Sequence, residues 1–280
     1  MPRPCLIDSN RMLKSLTAAV FTNTRRIFSS RIGSQTLVLG VLIGGWELIG
    51  RSVQSPLLPP MSAILTAWLD LIFTAGFQRD LGISLMTMAA GFSLALVSGI
   101  LLGIMMARFR PLEKLLDPYM NALMSSPITA LVPIIMLIFG SQFAARIVVV
   151  FLFSFFAICI NTLTGVKNAD RALIEMVRSL GASDRQITRI VALPGALPMI
   201  LQGVRLSIAR AVGGVLIAEL LIVSVGIGLV IMQYTGALET AKLYAAIATV
   251  IAMGVLVSYF GQWLDRTISQ RHGRRGAFEI

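Results

Sequence analysis

The chain has 280 residues, of which 56% are hydrophobic and 13% are charged, and its mean hydropathy is +0.83. Soluble domains carry about 25% charged residues, so this composition excludes an ordinary water-soluble protein and indicates a membrane protein. The net charge of +11 does not indicate nucleic-acid binding, because the basic residues gather between apolar stretches and form no stripe interleaved with aromatic residues.

Residue types that hold metals or perform catalysis are sparse. Cys5 and Cys159 show no CxxC spacing, and the single histidine, His272, lies in a basic tail. The sequence contains no His, Asp and Glu cluster with catalytic or metal-ligand spacing, and no G-x-x-x-x-G-K-[ST] loop that would cradle phosphates. We therefore expect a chain that is not an enzyme and that holds no metal or cofactor of its own.

Six stretches are apolar and long enough to cross a membrane, since a spanning helix needs about 20 such residues. The third contains Pro127 and Pro133 and is predicted to be broken. The less apolar segment 57–77 predicts an amphipathic helix in the membrane interface, with a seventh span as the alternative. In chain order, the six stretches lie at 31–51, 81–107, 118–145 and 147–166, after Pro194, and at 243–264.

The distribution of Lys and Arg predicts the orientation of these spans. With the N-terminus inside, the inner segments hold 18 basic residues, whereas the outer segments hold four: Arg51, Arg79, Arg146 and Lys242. Because cytoplasmic loops are enriched in basic residues, both termini are predicted to be cytoplasmic. The N-terminal tail lacks the apolar core of a cleavable signal peptide.

These patterns predict an all-α membrane protein. Gly40 with Gly44, and Gly99 with Gly103, have the spacing that permits close helix packing. We divide the chain into a basic cytoplasmic N-terminal tail (1–31), the first span with an outer interfacial helix (32–80), a membrane core (81–264) that includes a cytoplasmic loop (168–194), and a cytoplasmic C-terminal tail (265–280).

The loop 168–194, which we call the coupling loop, reads NADRALIEMVRSLGASDRQITRIVALP. Asp170 is placed to cap a first helix, and Gly181 lies where a left-handed helix stop is expected. Ser183, followed three residues later by Gln186, has the capping-box pattern of a second helix, which Pro194 is predicted to end. A compact projection of two short helices is expected.

Part of this loop resembles the signature of ABC importer permeases, which reads E-A-A, three residues, G, nine residues, I, any residue, L-P. Glu175, Gly181 and the terminal Leu193-Pro194 match in identity and spacing. Met176 and Val177 replace the two alanines, and Val191 replaces isoleucine, all with apolar side chains. The sequence is thereby identified as similar to this family from about residue 84 to 264.

Two further motifs resemble one branch of the family. They are Pro127-Ile-Thr-Ala-Leu-Val-Pro133, and Ala218-Glu219 followed by Gly226-Ile-Gly228. The branch imports nitrate, taurine and other sulfonates, thiamine pyrimidine precursors, or related small solutes. The resemblance therefore suggests a small anion such as a sulfonate, taurine or nitrate, with a neutral heterocycle such as a thiamine or riboflavin precursor as the alternative.

The resemblance implies a type I importer fold, with six spans and a coupling helix that docks on a separate ATPase. It also implies a bacterial inner-membrane protein that works as a homodimer with an ATPase dimer, which binds ATP and Mg, and with a periplasmic or extracellular solute-binding protein. The alternative is that the loop is a solvated connector between two spans and that its charged residues face water. The residues expected at the ATPase contact are Glu175, Arg178, Gly181, Ala182, Ser183, Arg185, Leu193 and Pro194.

Polar residues within the spans are candidates for the solute pathway or its gate. A charge at bilayer depth costs about 2.5 to 3.5 kcal/mol, so such residues are expected to face protein or water. For Glu219 we favour a structural or gating role, because a carboxylate repels an anionic solute. Arg210 has the charge to bind an anion, or it reaches lipid headgroups. The break at Ser125, Ser126 and Pro127 leaves backbone groups that lipid does not satisfy, so it is expected to border the pathway.

Two other functions compete with an importer subunit. One is an ABC exporter or lipid flippase subunit, but the importer-like signature argues against it. The other is a membrane scaffold or an ATP-independent channel, which no feature of the sequence supports.

Overall fold

A computed structural model of the chain describes residues 31–53, 55–140, 143–222 and 225–273. These residues form helices and contain no strand, so the predicted all-α class is confirmed. The predicted tail 1–31, except Arg31, and the last residues of the predicted tail 265–280 lie outside them. The elements are α1 (Arg31–Val53), α2 (Met61–Ile72), α3 (Ala75–Arg108), α4 (Arg110–Ser125), a 3-10 turn (Ile128–Leu131), α5 (Val132–Phe139), α6 (Phe143–Lys167), α7 (Arg171–Ser179), α8 (Asp184–Ile187), a π turn (Thr188–Ala192), α9 (Leu193–Ile222), α10 (Ile227–Gly236) and α11 (Thr240–Gly273).

Four of the helices, α1, α3, α6 and α11, are long and apolar enough to cross a membrane. Two bent pairs pass the same test of length and composition. One is α4 with the 3-10 turn and α5, which bends by 97°, and the other is the continuous helix 184–222 with α10. Counting each pair as one span gives the six spans predicted from the sequence.

The described residues form two compact units, and the first ends at Leu65. Within it, Glu47 near the end of α1 accepts hydrogen bonds from the Ser62 amide (2.9 Å) and the Arg51 guanidinium (2.6 Å). Trp46 donates its ring N–H to the Pro59 carbonyl at 3.1 Å. The one charge inside the first predicted span therefore ties α1 to the start of α2.

The predicted interfacial segment 57–77 forms α2 and the first residues of α3. At 1.5 Å per residue, the 12-residue α2 is about 18 Å long, which is short of the roughly 30 Å of a hydrocarbon core. This length favours the interfacial helix over a seventh span.

The second unit, residues 66–280, is built around α6, which packs along α3 and α9. Glycines of α3 make the close approach possible: a Cβ on Gly103 would overlap the Cys159 carbonyl and Thr162, and a Cβ on Gly99 would press on Ile158. The packing predicted for Gly99 and Gly103 is therefore confirmed. A Cβ on Gly40 or Gly44, in contrast, would meet nothing within 4 Å among the described residues.

Several predicted span boundaries are wrong. The third stretch is broken, as predicted, but α5 ends at Phe139 and the next helix begins at Phe143, not at residue 147. Arg146, predicted to lie in an outer loop, is inside α6 and only 5% exposed. The rule that a charged residue marks the end of a span fails at Arg146. Its guanidinium lies over the Phe143 ring (5.7 Å), which stabilises the charge without contact with water. At the other end, α11 continues past residue 264 to Gly273.

Candidate functional site

The first helix of the coupling loop is α7, and its N-cap is the predicted one. The Asp170 carboxylate accepts a hydrogen bond from the Ala172 amide at 2.8 Å. Three apolar side chains of this segment lie uncovered: Leu173 is 45% exposed, Met176 is 53% exposed and Leu180 is 80% exposed. An exposed apolar face next to charged residues is typical of a protein contact surface.

The corner after α7 depends on Gly181, whose φ of +83° is in the left-handed region. Its amide donates to the Arg178 carbonyl at 3.0 Å, and the Ala182 amide donates to the Val177 carbonyl at 3.3 Å. A Cβ at Gly181 would meet no atom of the described residues within 4 Å. The chain itself therefore needs glycine here for backbone conformation and not for space.

The second helix begins with the predicted capping box. The Ser183 amide donates to the Gln186 side-chain oxygen at 2.8 Å, and the Ser183 side chain accepts from the backbone of Gln186. Beyond it, Ile187 and Ala192 are buried.

The predicted end of this helix at Pro194 is wrong. The chain runs from α8 through the π turn into α9, of which Pro194 is the second residue. Proline lacks an amide hydrogen, and in a regular helix its ring clashes with the carbonyl four residues earlier. The π turn widens the backbone just before Pro194, so the helix continues through it. The coupling loop is consequently continuous with the fifth span.

The remaining loop residues predicted at the ATPase contact are mostly on the surface. Arg178 lies 3.6 Å from the Asp184 carboxylate, and both side chains are largely exposed. Glu175 and Arg185 are also exposed, whereas Ala182 and Leu193 are half-buried. The structure thus places the charged residues together on one exposed segment.

At the predicted break, the Ser125 hydroxyl donates to the Asn121 carbonyl (2.8 Å) and the Ser126 hydroxyl donates to the Ala122 carbonyl (2.9 Å). These bonds satisfy the last carbonyls of α4, and Pro127 then starts the 3-10 turn. All three residues are exposed. Within the described ranges, no hydrogen bond or ion pair joins them to Arg210 or Glu219, so their place beside a pathway stays a prediction.

Glu219 has a different environment from the other candidates. It is 1% exposed, and its Oε2 accepts hydrogen bonds from the Ser84 hydroxyl (2.8 Å) and the Gly228 amide (3.1 Å). The Ser84 hydroxyl in turn accepts from the Ile227 amide at 3.0 Å. The carboxylate therefore connects α3 and α9 to the first residues of α10.

Two more side chains hold the same turn. Asp80 Oδ1 accepts from the Gly226 amide at 3.3 Å, and the Arg146 guanidinium donates to the Val225 carbonyl at 3.5 Å. We call Asp80, Ser84, Arg146 and Glu219 the turn cluster, because together they bind the backbone of 225–228. They come from three helices that are far apart in the sequence.

Glu219 occupies the space that a side chain at Gly226 or Gly228 would need. Gly226 has a φ of +91°, and a Cβ added at this residue would overlap the Glu219 carboxyl group. A Cβ on Gly228 would overlap the Glu219 Cβ and backbone. The two glycines and the carboxylate are thus one structural unit, which fits the structural role favoured for Glu219.

Sequence reasoning identified Glu219 but missed its partners. From the sequence, Arg146 is predicted to lie in an outer loop, and no pattern indicates Asp80 or Ser84 as a partner of Glu219. Within the described residues, the Arg146 Nε and Glu219 Oε1 atoms are buried without a hydrogen-bond partner. A buried charge without full hydrogen bonding is costly. Arg146 and Glu219 carry opposite charges, and their attraction at longer range partly offsets this cost, since no ion pair within 4 Å joins them in the described part of the chain.

The two other arginines at membrane depth lie apart from this cluster. Arg210 is half-buried in α9. Arg205 is exposed and lines a cleft of about 430 Å³ between α9 and α11, together with Gln202, Ser258 and Gln262. In the part of the chain that the structure describes, no three His, Cys, Asp or Glu side chains are placed to hold a metal ion.

Comparison with known proteins gives a consistent result. Residues 99–270 match the family described as "Binding-protein-dependent transport system inner membrane component". A putative aliphatic sulfonates transport permease of Bacillus subtilis is 33% identical over 234 residues, which cover 83% of this chain and 85% of that protein. A taurine transport system permease of Escherichia coli is 29% identical over 248 residues, with 86% and 89% covered.

A formylaminopyrimidine transport permease of Halalkalibacterium halodurans is 30% identical over 222 residues, which cover 79% of this chain and 88% of that protein. Among solved structures, the inward-facing MetNI methionine ABC transporter superposes with a TM-score of 0.58 at 19% identity, covering 69% of this chain and 96% of that one. An amino acid ABC transporter with histidines gives a TM-score of 0.57 at 19% identity, with 73% and 98% covered. The structural likeness establishes the fold.

Proposed function

Because the chain belongs to the family of binding-protein-dependent transport system inner membrane components, we propose that it is the permease subunit of an ABC importer. In this role it forms the transmembrane pathway for a small solute that an external binding protein delivers. The six predicted spans supply the pathway, with both termini in the cytoplasm.

The observation that carries this proposal is the exposed corner of the coupling loop. Leu173, Met176 and Leu180 are uncovered, the left-handed Gly181 fixes the corner, and the capping box fixes the helix that follows. An ATPase subunit that covers this apolar face would bury it and pair with the surrounding charges. Hydrolysis then takes place on the partner, which binds ATP and Mg, and this chain performs no chemistry.

The movement of the ATPase has a direct route into the membrane. The π turn joins α8 to α9 without a loop, so a displacement of the coupling loop is transmitted to the fifth span. A change in nucleotide state would thereby tilt this span and alternate the access to the pathway.

For the solute we propose a small organic anion, with a sulfonate or taurine first and nitrate as a further candidate. The support is that relatives with 33% and 29% identity are named as permeases for aliphatic sulfonates and for taurine. A neutral heterocycle is the second candidate, because a relative with 30% identity is named as a formylaminopyrimidine permease.

We also propose that the chain works as a homodimer. The short helix α5 supports this, because Leu137 is 89% exposed and its neighbours Ile134 and Ile138 are 54% and 68% exposed. A second copy packed on this face would place the Ser125–Pro127 break beside the interface. A cysteine at Ser126 that no water-soluble thiol reagent labels in any nucleotide state would count against a place next to the pathway.

Co-purification with the ATPase encoded beside this chain tests the central proposal. We expect the wild-type chain to retain the ATPase and Gly181→Arg to lose it. Gly181→Asn is the matched control, because asparagine tolerates the left-handed conformation and adds little bulk. If Gly181→Asn still binds, the corner matters through its conformation, and if the wild type never binds an ATPase, the importer proposal is wrong.

Uptake identifies the solute. Cells that express the chain with its ATPase and binding protein are given labelled taurine, a labelled alkanesulfonate, labelled nitrate or a labelled formylaminopyrimidine. We expect uptake of one of the two sulfur compounds, abolished when the ATPase is inactive. Uptake of the pyrimidine alone would reassign the solute to the heterocycle class.

A further inference from the structure

A basic cleft lies where α3 passes into α4 and α6 passes into α7. Its volume is about 560 Å³. The residues that line this cleft are Ala107, Arg110, Glu113, Lys114, Lys167 and Arg171. None of them belongs to the set predicted to contact the ATPase, and the turn cluster is formed by other residues.

The cleft carries an excess of positive charge that the chain does not neutralise. The Lys167 ammonium is paired with the Glu113 carboxylate. Among the described residues, Arg110, Lys114 and Arg171 have no carboxylate within ion-pair distance. Three cations that converge on one concave surface create a local positive potential, which attracts a multiply charged anion more strongly than a single charge does.

The position of the cleft relates it to the membrane. The spans α3 and α6 end at Arg108 and Lys167, and the residues just inside these ends are buried in an apolar cluster that includes Met106 and Leu163. Lipid phosphates lie where such apolar segments end, and basic residues at this depth attract anionic headgroups.

We propose that this cleft binds the phosphate group of an anion, with Arg110, Lys114 and Arg171 as its ligands. A lipid headgroup and a free phosphate share this chemistry, and the place of the cleft at the ends of two spans favours the lipid. Since Arg171 is the first residue of α7, the bound phosphate fixes the start of the coupling loop to the membrane surface.

Lipid binding to the purified full-length chain in detergent tests the proposal, with native mass spectrometry as the readout. Phosphatidylglycerol is titrated against phosphatidylcholine, and inorganic phosphate is titrated in a parallel arm followed by thermal unfolding. Each basic residue near an anionic surface contributes about 1 kcal/mol, so Lys114→Gln with Arg171→Gln should weaken phosphatidylglycerol binding by roughly 30-fold. Phosphatidylcholine binding should not change.

Two further double variants control for net charge and for folding. Arg185→Gln with Arg189→Gln removes the same charge outside the cleft and should leave phosphatidylglycerol binding within about twofold of wild type. Lys114→Arg with Arg171→Lys keeps the charge and should bind like wild type, which keeps the test valid if the glutamine variant unfolds.

The outcomes separate the two sources of phosphate. Selective loss of phosphatidylglycerol binding in the cleft variant, with no response to inorganic phosphate, supports a lipid headgroup. A response to inorganic phosphate that the cleft variant loses supports a free phosphate. Equal binding by the wild type, the cleft variant and the charge-matched control would overturn the proposal.

Discussion

The coupling loop and the turn cluster are assembled in opposite ways. The loop takes its shape from bonds between neighbours, such as Asp170 with Ala172 and Ser183 with Gln186, and its charged side chains lie on the surface. The turn cluster takes Asp80, Arg146 and Glu219 from three helices and buries the carboxylate of Glu219 almost completely. The shape of the proposed contact surface is encoded by neighbouring residues, whereas the turn cluster is encoded by contacts over long sequence distances.

The two regions also differ in how much each polar interaction contributes to the free energy of unfolding. Exposed ion pairs are screened by water and contribute at most about 1 kcal/mol. A buried charge that loses its partner costs about 3 to 5 kcal/mol, because no water replaces the lost interaction. Substitutions in the turn cluster should therefore affect folding, and substitutions in the coupling loop should affect partner binding.

The largest effect is expected for Glu219→Leu. It leaves the buried Arg146 charge without its opposite charge, and it removes the acceptor of the Ser84 hydroxyl and the Gly228 amide. We expect a loss of about 3 to 5 kcal/mol in the free energy of unfolding, measured by SDS titration in mixed micelles. The same substitution at the exposed Glu175 is the matched control and should change stability by less than about 0.5 kcal/mol. Equal effects at the two positions would contradict the contrast between the regions.

A double variant sharpens this first prediction. If the cost comes from an unpaired buried charge, Arg146→Met combined with Glu219→Leu should be more stable than the sum of the single losses predicts. We expect a coupling energy of about 1 to 3 kcal/mol from the double-mutant cycle. Simple additivity would mean that Arg146 and Glu219 act on the turn independently.

The next effect in size is expected for Gly226→Ala. The residue has a φ of +91°, and the added methyl group would overlap the Glu219 carboxyl group. With ψ of −174° this conformation is almost exclusive to glycine, and its strain of about 1 to 3 kcal/mol should add to overpacking of about 1 to 3 kcal/mol. Gly140→Ala is the control, because its φ of +70° and ψ of −171° bring the same strain and its Cβ would meet no described residue within 4 Å. Thermal unfolding should rank Gly226→Ala clearly below Gly140→Ala.

A smaller effect is expected for Ser183→Ala in the coupling loop. The capping box of α8 is lost, which costs about 1 kcal/mol locally. Hydrogen exchange should accelerate in residues 184–187, while the amides of α6 remain as protected as in the wild type. Ser179→Ala is the control, because the Ser179 hydroxyl donates to the Met176 carbonyl and caps no amide. Faster exchange throughout the chain would show that the loop is not a local unit.

The smallest effect on stability is expected for Arg178→Gln. The 3.6 Å pair with Asp184 is largely exposed, so its loss should cost less than about 0.5 kcal/mol. Retention of the ATPase on co-purification should nevertheless fall, since Arg178 belongs to the proposed contact surface. An unchanged yield of the complex would assign Arg178 to the solvated part of the loop.

Much of the fold could be predicted because its signals are local. The six spans, with each bent pair counted as one, the cap at Asp170, the left-handed Gly181 and the capping box at Ser183 each depend on a few neighbouring residues, and all are confirmed. The predicted ends of several spans are wrong, because tertiary structure moves them. A proline usually ends a helix, but the π turn before Pro194 lets this helix continue through it.

The turn cluster shows the limit of sequence reasoning in this chain. Glu219 is expected to face protein or water because it lies in an apolar stretch, but the identity of its partners depends on which helices pack together. Arg146 offered one signal, since an arginine next to a run of apolar residues either ends a span or is paired inside it. Only the packing of α6 against α9 decides between these alternatives.

The continuous helix from Asp184 to Ile222 is longer than a membrane-spanning helix needs to be. At 1.5 Å per residue its segments add up to about 58 Å, nearly twice the roughly 30 Å of a hydrocarbon core. Three of its six charged residues, Asp184, Arg185 and Arg189, lie within its first six residues, whereas Arg205, Arg210 and Glu219 lie further along. We therefore expect the surplus length to extend into water at the N-terminal end. The ATPase subunit that we propose as the partner would therefore contact this helix beyond the lipid headgroups, and a displacement of its end would be transmitted along the helix.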